Sequence, residues 1–160
     1  TKIDNSTSWK RKHLETIRCH YSKTPFFDMY FPWCEKVFNS DWNFLLDLSL
    51  ETIQYLKGEL KINTPLLRSS ELGESGNKTE RLISICKQLG ATQYLSGDSA
   101  RNYISEKDFS DQGIELEYQK YQHPEYPQRY EGFVPFLSTI DLLFNCGDKS
   151  MEFLKQTDCV

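Results

Sequence analysis

The sequence lacks the features that mark several large classes of protein. No apolar run approaches the roughly 20 residues that a membrane-spanning helix needs, and no signal peptide opens the chain. We therefore expect a cytoplasmic protein without a membrane span. Basic residues are not in excess, because 19 Lys and Arg face 23 Asp and Glu, for a net charge of −4. Nucleic-acid binding needs a basic surface and is not predicted.

The motifs of familiar catalytic sites are also missing. The chain contains no Walker loop, no G-x-G-x-x-G, no Ser-His-Asp order and no C-x-x-C pair. The five cysteines are scattered, which is typical of a reducing compartment. His13 and His20 lie seven residues apart, whereas two metal ligands on one helix usually lie four apart. The sequence predicts neither a metal site nor a cofactor.

What is present first is a helical N-terminal third. Ser8 is placed to cap a helix to about Lys23, and residues 26–38 predict two short helices or one kinked at Pro32. A third helix is predicted between a Ser49 cap and Gly58. The aromatic side chains between residues 26 and 44 favour core packing, with an exposed patch for a partner as the alternative.

From residue 61 the pattern changes to alternating strands and helices. The predicted elements are a strand over Lys61–Arg68, a helix over Asn77–Leu89 ended by Gly90, a strand over Gln93–Ser96, a helix over Ala100–Lys107, a strand over Ile114–Gln119, a helix over Thr139–Cys146 stopped by Gly147, and a last helix capped by Asp148. A strand–helix–strand order predicts parallel strands. The expected fold is one α/β domain over residues 1–160, with a small, mostly parallel sheet and flanking helices in a Rossmann-like three-layer arrangement.

Polar residues follow the ends of the three predicted strands. Ligands of such sheets bind beyond the carboxyl ends of the strands, so these residues are predicted to meet at one mouth. The three sets are Ser69, Ser70 and Glu71; Ser96, Gly97, Asp98 and Ser99; and Tyr121, His123 and Tyr126. Loop or helix capping is the alternative role for the serines and for Asp98.

Three basic residues suggest that the ligand is anionic. Lys78 and Arg81 lie in the first turn of a predicted helix, and Arg101 is placed in the same way one helix later. Positive charges at the start of a helix interact unfavourably with the helix macrodipole. A bound phosphate or carboxylate would offset their charge, and Glu80 is the alternative source of negative charge. Backbone N–H groups near Gly97 are the expected anion donors.

Two histidines are candidates for acid–base chemistry. His123 is followed by Pro124 and is placed to act as a general base, with a hydrogen-bonded loop histidine as an equal alternative. His13, beside Lys12, is placed to contact a substrate carboxylate or phosphate.

An ordered series of segments resembles the WbqC-like protein family over nearly the whole chain. The segments are Trp9-Lys-Arg-Lys-His13, Tyr21-Ser-Lys-Thr-Pro-Phe-Phe27, Ser69-Ser-Glu-Leu72, Arg81-Leu-Ile-Ser-Ile-Cys86, Tyr94-Leu-Ser-Gly97, His123-Pro-Glu-Tyr-Pro-Gln128 and Leu137-Ser-Thr-Ile-Asp-Leu-Leu-Phe-Asn145. Family members usually begin with a His-Gln-Pro-containing strand, and this chain starts downstream of that. The resemblance therefore implies the C-terminal portion of a longer protein.

The resemblance also implies a function and a set of polar site residues. The family is associated with O-antigen and other surface-polysaccharide gene clusters, which implies a transferase that moves glycine or another small acyl group to a sugar. A sugar or nucleotide sugar is the expected substrate, a homodimer is left open, and the alternative is a non-catalytic ligand-binding or partner-interaction module. The residues carried over are Lys12, His13, Ser70, Glu71, Arg81, Ser96, Gly97, His123, Gln128, Asp141 and Asn145, the last two with structural roles as the alternative.

Overall fold

The computed structural model describes residues 1–73, 76 and 78–155. The chain forms two compact units: a helical unit of residues 1–63 and 123–155, and a sheet unit of residues 64–122. The prediction of a single domain over residues 1–160 stays a prediction. Within the described ranges, no helix combines the length and the apolar character needed to cross a membrane.

Nine helices and strands make up the described part of the chain. In order they are α1 (Trp9–Tyr21), α2 (Phe27–Asn39), α3 (Leu45–Glu59), α4 (Thr79–Gln88), β1 (Gln93–Gly97), α5 (Glu106–Ser110), β2 (Glu115–Gln119), α6 (Thr139–Cys146) and α7 (Ser150–Lys155). Single 3₁₀ turns cover Ser69–Glu71, Asp98–Asn102 and Gly147–Lys149.

Aromatic packing forms the core of the helical unit. Phe144 of α6 is 1 % exposed, and its ring stacks on Tyr21 of α1 with ring centres 4.9 Å apart. Phe31 is 4 % exposed, and the half-buried Trp33 stacks on Tyr55 at 3.9 Å. Core packing is thus confirmed for most of the predicted aromatic cluster, and the exposed-patch alternative loses most of its support.

The helices of this unit agree with prediction at one point and differ at another. Of the two alternatives for residues 26–38, the structure has the single helix, because α2 runs through Pro32 rather than ending there. The Ser49 cap and the Gly58 end were wrong, because α3 runs from Leu45 to Glu59. Backbone bonds from the N-terminal segment fix the earlier start: Leu45 N–H donates to the carbonyl O of Thr1 at 3.1 Å. These are long-range contacts that no local pattern contains.

The C-terminal helix α6 agrees with prediction at both ends. Ser138 precedes it and Gly147, at φ +56°, ends it. The predicted Asp148 cap was wrong, because α7 begins at Ser150. The Ser150 hydroxyl is buried and donates to the carbonyl O of Gly147 at 2.6 Å, which satisfies a carbonyl left open at the end of α6.

The sheet unit contains a two-stranded parallel sheet. β1 and β2 pair from Gln93–Glu115 to Gly97–Gln119. The coarse prediction is therefore confirmed, because helices flank a small parallel sheet as in α/β proteins. Phe109 of α5 is fully buried and stacks on Tyr94 of β1 at 5.3 Å between ring centres. The Rossmann-like three-layer arrangement is not confirmed, since the described residues form only two paired strands.

The predicted strand over Lys61–Arg68 was wrong. This segment is irregular, and Leu66 and Leu67 are 46 % and 55 % exposed. Lys61 has a φ of +54°, and Ile62 N–H bonds back to the carbonyl O of Lys57, so the segment leaves α3 through a turn. Pro65 lacks an N–H for a ladder, and within the described residues the segment pairs with neither β1 nor β2.

Two predicted helices of the sheet unit were placed inexactly. The helix before β1 is α4, followed as predicted by Gly90 at φ +64°; its buried face carries Ile83 and Cys86, whereas Leu89 is 49 % exposed. Asn77, the first residue of the predicted helix, lies outside the described residues. The predicted helix over residues 100–107 is a 3₁₀ turn followed by α5, because Ser105 caps α5 by accepting the N–H of Asp108.

Candidate functional site

A buried carboxylate is the unusual feature of the helical unit. Asp141 lies in α6, where the side chains from Asp141 to Cys146 are all buried, and it is 5 % exposed. Tyr126 Oη donates to Asp141 Oδ2 at 2.9 Å, and Gln128 Nε2 donates to the same atom at 3.2 Å. A buried charge is tolerated when it has such hydrogen-bond partners. The carboxylate is therefore held in a fixed position by two neutral donors.

Two tyrosines near this carboxylate are held neutral. Burial, and next the Asp141 carboxylate, raise the pKa of Tyr21 well above its ordinary value. Burial raises the pKa of Tyr126 to about 12, with Asp141 acting in the same direction and the hydrogen bond with Gln128 in the opposite one. Both phenols therefore carry their proton at physiological pH and serve as donors rather than as bases.

Gln128 connects the Asp141 carboxylate to the loop of residues 128–134. Its Nε2 donates to the carbonyl O of Val134 at 3.0 Å, and its Oε1 accepts the N–H of Val134 at 2.8 Å. The side-chain amide thus replaces a backbone partner and closes the loop of residues 128–134. Since the same amide reaches Asp141, the loop and the carboxylate are positioned together.

Arg129 attaches this loop to the end of α1. Its Nη1 donates to the carbonyl oxygens of Cys19 and His20, which belong to the last turn of the helix. A cation at a helix C-terminus is favoured by the macrodipole, so the contact also stabilises α1. The guanidinium lies 4.9 Å from the centre of the Tyr130 ring.

These elements surround a cavity of about 400 Å³ within the helical unit, here called the Asp141 cavity. Its lining residues come from α1, the 128–137 loop and α6: Thr16, Ile17, His20, Tyr21, Gln128, Arg129, Tyr130, Glu131, Gly132, Val134, Leu137, Ile140 and Asp141. Apolar walls with a few converging polar groups are typical of small-molecule sites. A ligand in the cavity can donate a hydrogen bond from a hydroxyl or amine group to the Asp141 carboxylate. Its apolar face can pack against the isoleucine and leucine side chains of the cavity wall.

The two predicted catalytic histidines lie in the same unit but do not line this cavity. His123 Nδ1 lies 2.9 Å from the carbonyl O of Pro124, and the ring is surrounded by Tyr126, Phe133 and Phe136. This matches the alternative of a hydrogen-bonded loop histidine. His13 Nδ1 lies 2.8 Å from the carbonyl O of Trp9, and Lys12 beside it is exposed.

The candidate residues before β1 make contacts with one another on the surface of the sheet unit. Arg81 Nη2 donates to Ser69 Oγ at 3.2 Å, and Glu71 pairs with Arg68 at 3.3 Å. Ser70 and Lys78 are exposed, and Lys78 precedes α4 with a φ of +47°. Ser69–Glu71 form a 3₁₀ turn and follow no strand, so the reason for placing them at the edge of the sheet is lost.

The candidates at the end of β1 divide into one buried residue and an exposed group. Ser96 is 6 % exposed, while Gly97 faces open space. Arg101 Nε donates to Asp98 Oδ1 at 2.7 Å, and the guanidinium lies 3.8 Å from the Tyr118 ring centre and near Glu106. The positive charge of Arg101 is therefore already balanced by neighbouring carboxylates.

The structure brings some of the predicted site residues together, and others belong to different units. Ser69 meets Arg81, Asp98 meets Arg101, and Gln128 meets Asp141. Ser70 and Ser96 belong to the sheet unit and His123 to the helical unit, so the predicted common mouth stays a prediction.

Sequence reasoning gave Tyr21 and Arg129 no role at a site. A usable signal was a single carboxylate inside the apolar run of α6, where Asp141 is followed by Leu142, Leu143 and Phe144. Asn145, matched with it, is structural, since its Nδ2 donates to the Asp141 backbone carbonyl at 2.8 Å.

Fold and site together define an α/β protein with a carboxylate-centred pocket in its helical unit. The profile of the WbqC-like protein family matches residues 1–153, and the chain belongs to this family. It is 32 % identical over 157 residues to the uncharacterized protein Rv1507c of Mycobacterium tuberculosis, an alignment that covers 97 % of this chain and 68 % of that protein. No solved structure matches the chain.

Proposed function

We propose that the chain binds a sugar or nucleotide sugar in the Asp141 cavity and acts as a transferase in surface-polysaccharide biosynthesis, O-antigen included. Membership of the WbqC-like family supports a polysaccharide-related process. The observation that carries the proposal is the buried Asp141 carboxylate, held by Tyr126 and Gln128 at the wall of a cavity of about 400 Å³.

The chemistry of the cavity suits a sugar. A sugar presents hydroxyl or amine donors on its edges and C–H groups on its faces. Asp141 supplies the charged acceptor, and Ile17, Leu137 and Ile140 supply apolar contact on the cavity wall. Tyr130, which is 61 % exposed, adds an aromatic surface at the same cavity. Polar groups at fixed positions on an apolar wall orient a ligand and select it.

In the proposed transfer of a glycyl or other small acyl group, Asp141 acts as the general base. The sugar amine or hydroxyl attacks the acyl carbon, its proton passes to Asp141, and the acyl carbon releases its carrier. The sequence assigned this role to His123 or His13. Asp141 has better support, because it lines the cavity, whereas Nδ1 of each histidine lies against a backbone carbonyl.

The phosphate-holding role proposed for Lys78, Arg81 and Gly97 has weaker support. Arg81 already contacts Ser69 Oγ, and Gly97 faces open space rather than an enclosed cradle. The partner-interaction alternative has weaker support still, because Phe31 is buried and both Trp33 and Trp42 are half-buried.

Calorimetry with a panel of nucleotide sugars tests the proposal on the whole chain. We expect saturable heat with at least one of them, and a loss of affinity of about tenfold or more in Asp141→Asn, because a hydrogen bond to a charged group is worth about 1.5–3 kcal/mol. The matched control is Asp28→Asn, an exposed carboxylate on α2, which should bind as the wild type does.

Thermal unfolding of both variants checks that the fold is kept. The proposal fails if no nucleotide sugar gives heat, or if folded Asp141→Asn binds the sugar as tightly as the wild type.

A further inference from the structure

The described residues that line the Asp141 cavity carry more negative than positive charge. Asp141 and Glu131 supply two carboxylates, and Arg129 supplies one guanidinium. His20 is counted as neutral at pH 7, and the other lining residues are uncharged. Two negative charges against one positive charge give this lining a formal net charge of −1.

Within the described ranges, neither carboxylate of this lining forms a salt bridge. Asp141 is held instead by Tyr126 Oη and Gln128 Nε2, which are neutral donors. Its negative charge is therefore fixed in position but is not balanced by a cation. Because burial limits screening by water, a group that enters the cavity feels this charge strongly.

The guanidinium of Arg129 is used at the end of α1. Its Nη1 donates to the carbonyl oxygens of Cys19 and His20, where the positive charge meets the negative end of the helix macrodipole. In the part of the chain that the structure describes, Arg129 and Asp141 share no hydrogen bond or salt bridge. The negative charge of the cavity wall is thus left for a ligand to balance.

The charge of Asp141 lies at the cavity wall, because the side chains around its carboxylate line the cavity as well. Gln128 Nε2 lies 3.2 Å from Asp141 Oδ2, and both residues belong to the lining. Tyr21, whose pKa is raised by burial and next by the Asp141 charge, is a third lining residue. Coulomb attraction acts through space, so it depends on this position rather than on an exposed oxygen.

We infer that the ligand group bound in the Asp141 cavity is a protonated primary amine. An ammonium group brings the missing positive charge together with N–H donors, and its hydrogen bonds to a carboxylate are about twice as strong as neutral ones. A phosphate or carboxylate group would instead bring like charge to the same wall. Within the proposed function, on which this last step alone rests, the substrate is an amino sugar that enters the cavity by its sugar end.

Three probes with the same cyclohexane ring test the inference, because they differ in charge. Cyclohexylamine is protonated at neutral pH, cyclohexanol is neutral, and cyclohexanecarboxylate is negative. We expect cyclohexylammonium to bind at least about fivefold more tightly than cyclohexanol, and cyclohexanecarboxylate to bind most weakly.

Titrations followed in ¹H–¹⁵N spectra measure these affinities and locate the binding. The side-chain amide resonance of Gln128 should move in a saturable way, because this amide contacts Asp141. The side-chain amide of Gln93, which donates to Glu117 in the sheet unit, is the internal reference and should stay in place.

The variant Asp141→Asn removes the charge and keeps a side chain of similar shape. It should lower the affinity for cyclohexylammonium close to that for cyclohexanol. Glu131→Gln should lower this affinity by less, because Glu131 is exposed and water screens its charge. The matched control Asp28→Asn, an exposed carboxylate on α2, should keep the full preference.

The wild-type ranking of the three probes decides the matter even if Asp141→Asn fails to fold. Equal affinities for cyclohexylammonium and cyclohexanol, a preference for cyclohexanecarboxylate, or an unmoved Gln128 amide at saturation would overturn the inference. Such a result alongside calorimetric heat from a nucleotide sugar would leave the proposed function standing. The ammonium preference without heat from any nucleotide sugar would remove the sugar and keep the ammonium site, so the two failures can be told apart.

Discussion

Asp98 of the sheet unit and Asp141 of the helical unit are carboxylates held in opposite ways. In the sheet unit, Arg101 pairs with Asp98, and both side chains are about half or more exposed. In the helical unit, Asp141 is 5 % exposed and is held by neutral donors. Exposed ion pairs contribute about 0–1 kcal/mol and are common on any surface. A buried carboxylate is expensive to desolvate, so it is the stronger indication of a site.

Gly147 of the helical unit and Gly113 of the sheet unit differ in how tightly the chain is packed around them. Gly147 and Gly113 both have positive φ values, +56° and +69°. A Cβ added at Gly147 would lie 2.4 Å from Cε1 of the Phe26 ring, whereas one added at Gly113 would meet no atom within 4 Å. Both positive φ values disfavour a residue with a Cβ, and the surroundings of the two glycines differ.

The largest expected effect comes from Gly147→Ala. A residue with a Cβ in such a sparsely populated, positive-φ conformation costs about 1–3 kcal/mol, and forcing the Phe26 ring aside adds about 1–3 kcal/mol. Gly113→Ala should show the first cost alone. Urea unfolding followed by far-UV circular dichroism measures both. Equal losses of unfolding free energy for the two variants would remove this contrast between Gly147 and Gly113.

Local patterns in the sequence predicted the parts of the fold that depend on local chemistry. The positions of Gly90 and Gly147 after their helices and the two strands β1 and β2 are set by neighbouring residues, and all were found as predicted. The strand over residues 61–68 failed because a strand also needs a partner. The start of α3 failed because backbone bonds from residues 1–3 set it.

The candidate site was harder to predict than the fold. Asp141 and Gln128 were matched by the family resemblance, but nothing local indicates that Tyr21, more than 100 residues earlier, lies beside the same carboxylate. The predicted anion site relied on counts of charged residues near helix starts. The structure shows Arg101 and Arg81 in contact with neighbouring side chains, which a count cannot reveal.

An intermediate effect is expected from Tyr126→Phe. This variant tests whether the fold around the buried Asp141 carboxylate depends on the hydrogen bond from the Tyr126 phenol. At neutral pH the variant should lose about 2 kcal/mol of unfolding free energy, because the hydrogen bond to a charged acceptor is lost. The pKa of Tyr126 is raised to about 12 in the folded chain, above the ordinary value of 10. Its stabilising contribution is therefore complete below pH 10 and declines as pH rises through 12.

The difference in unfolding free energy between wild type and Tyr126→Phe should accordingly narrow by about 2 kcal/mol between pH 10 and pH 12. Urea unfolding at a series of pH values measures it. Tyr130→Phe, at a position 61 % exposed, is the control and should differ little from wild type at neutral pH. A difference for Tyr126→Phe that stays constant up to pH 12 would mean that the phenol is not held neutral by its surroundings.

The smallest effect compares helix caps in the two units. Ser105 Oγ accepts the N–H of Asp108 at 3.4 Å and caps α5 of the sheet unit, whereas Ser138 precedes α6 of the helical unit without a side-chain cap bond. Ser105→Ala should therefore cost about 0.5–1 kcal/mol, toward the low end for a cap because the bond is long. Ser138→Ala should stay within about 0.5 kcal/mol of wild type. Amide exchange in α5 and α6 locates each loss, and a larger loss for Ser138→Ala would show that the start of α6 depends on its serine after all.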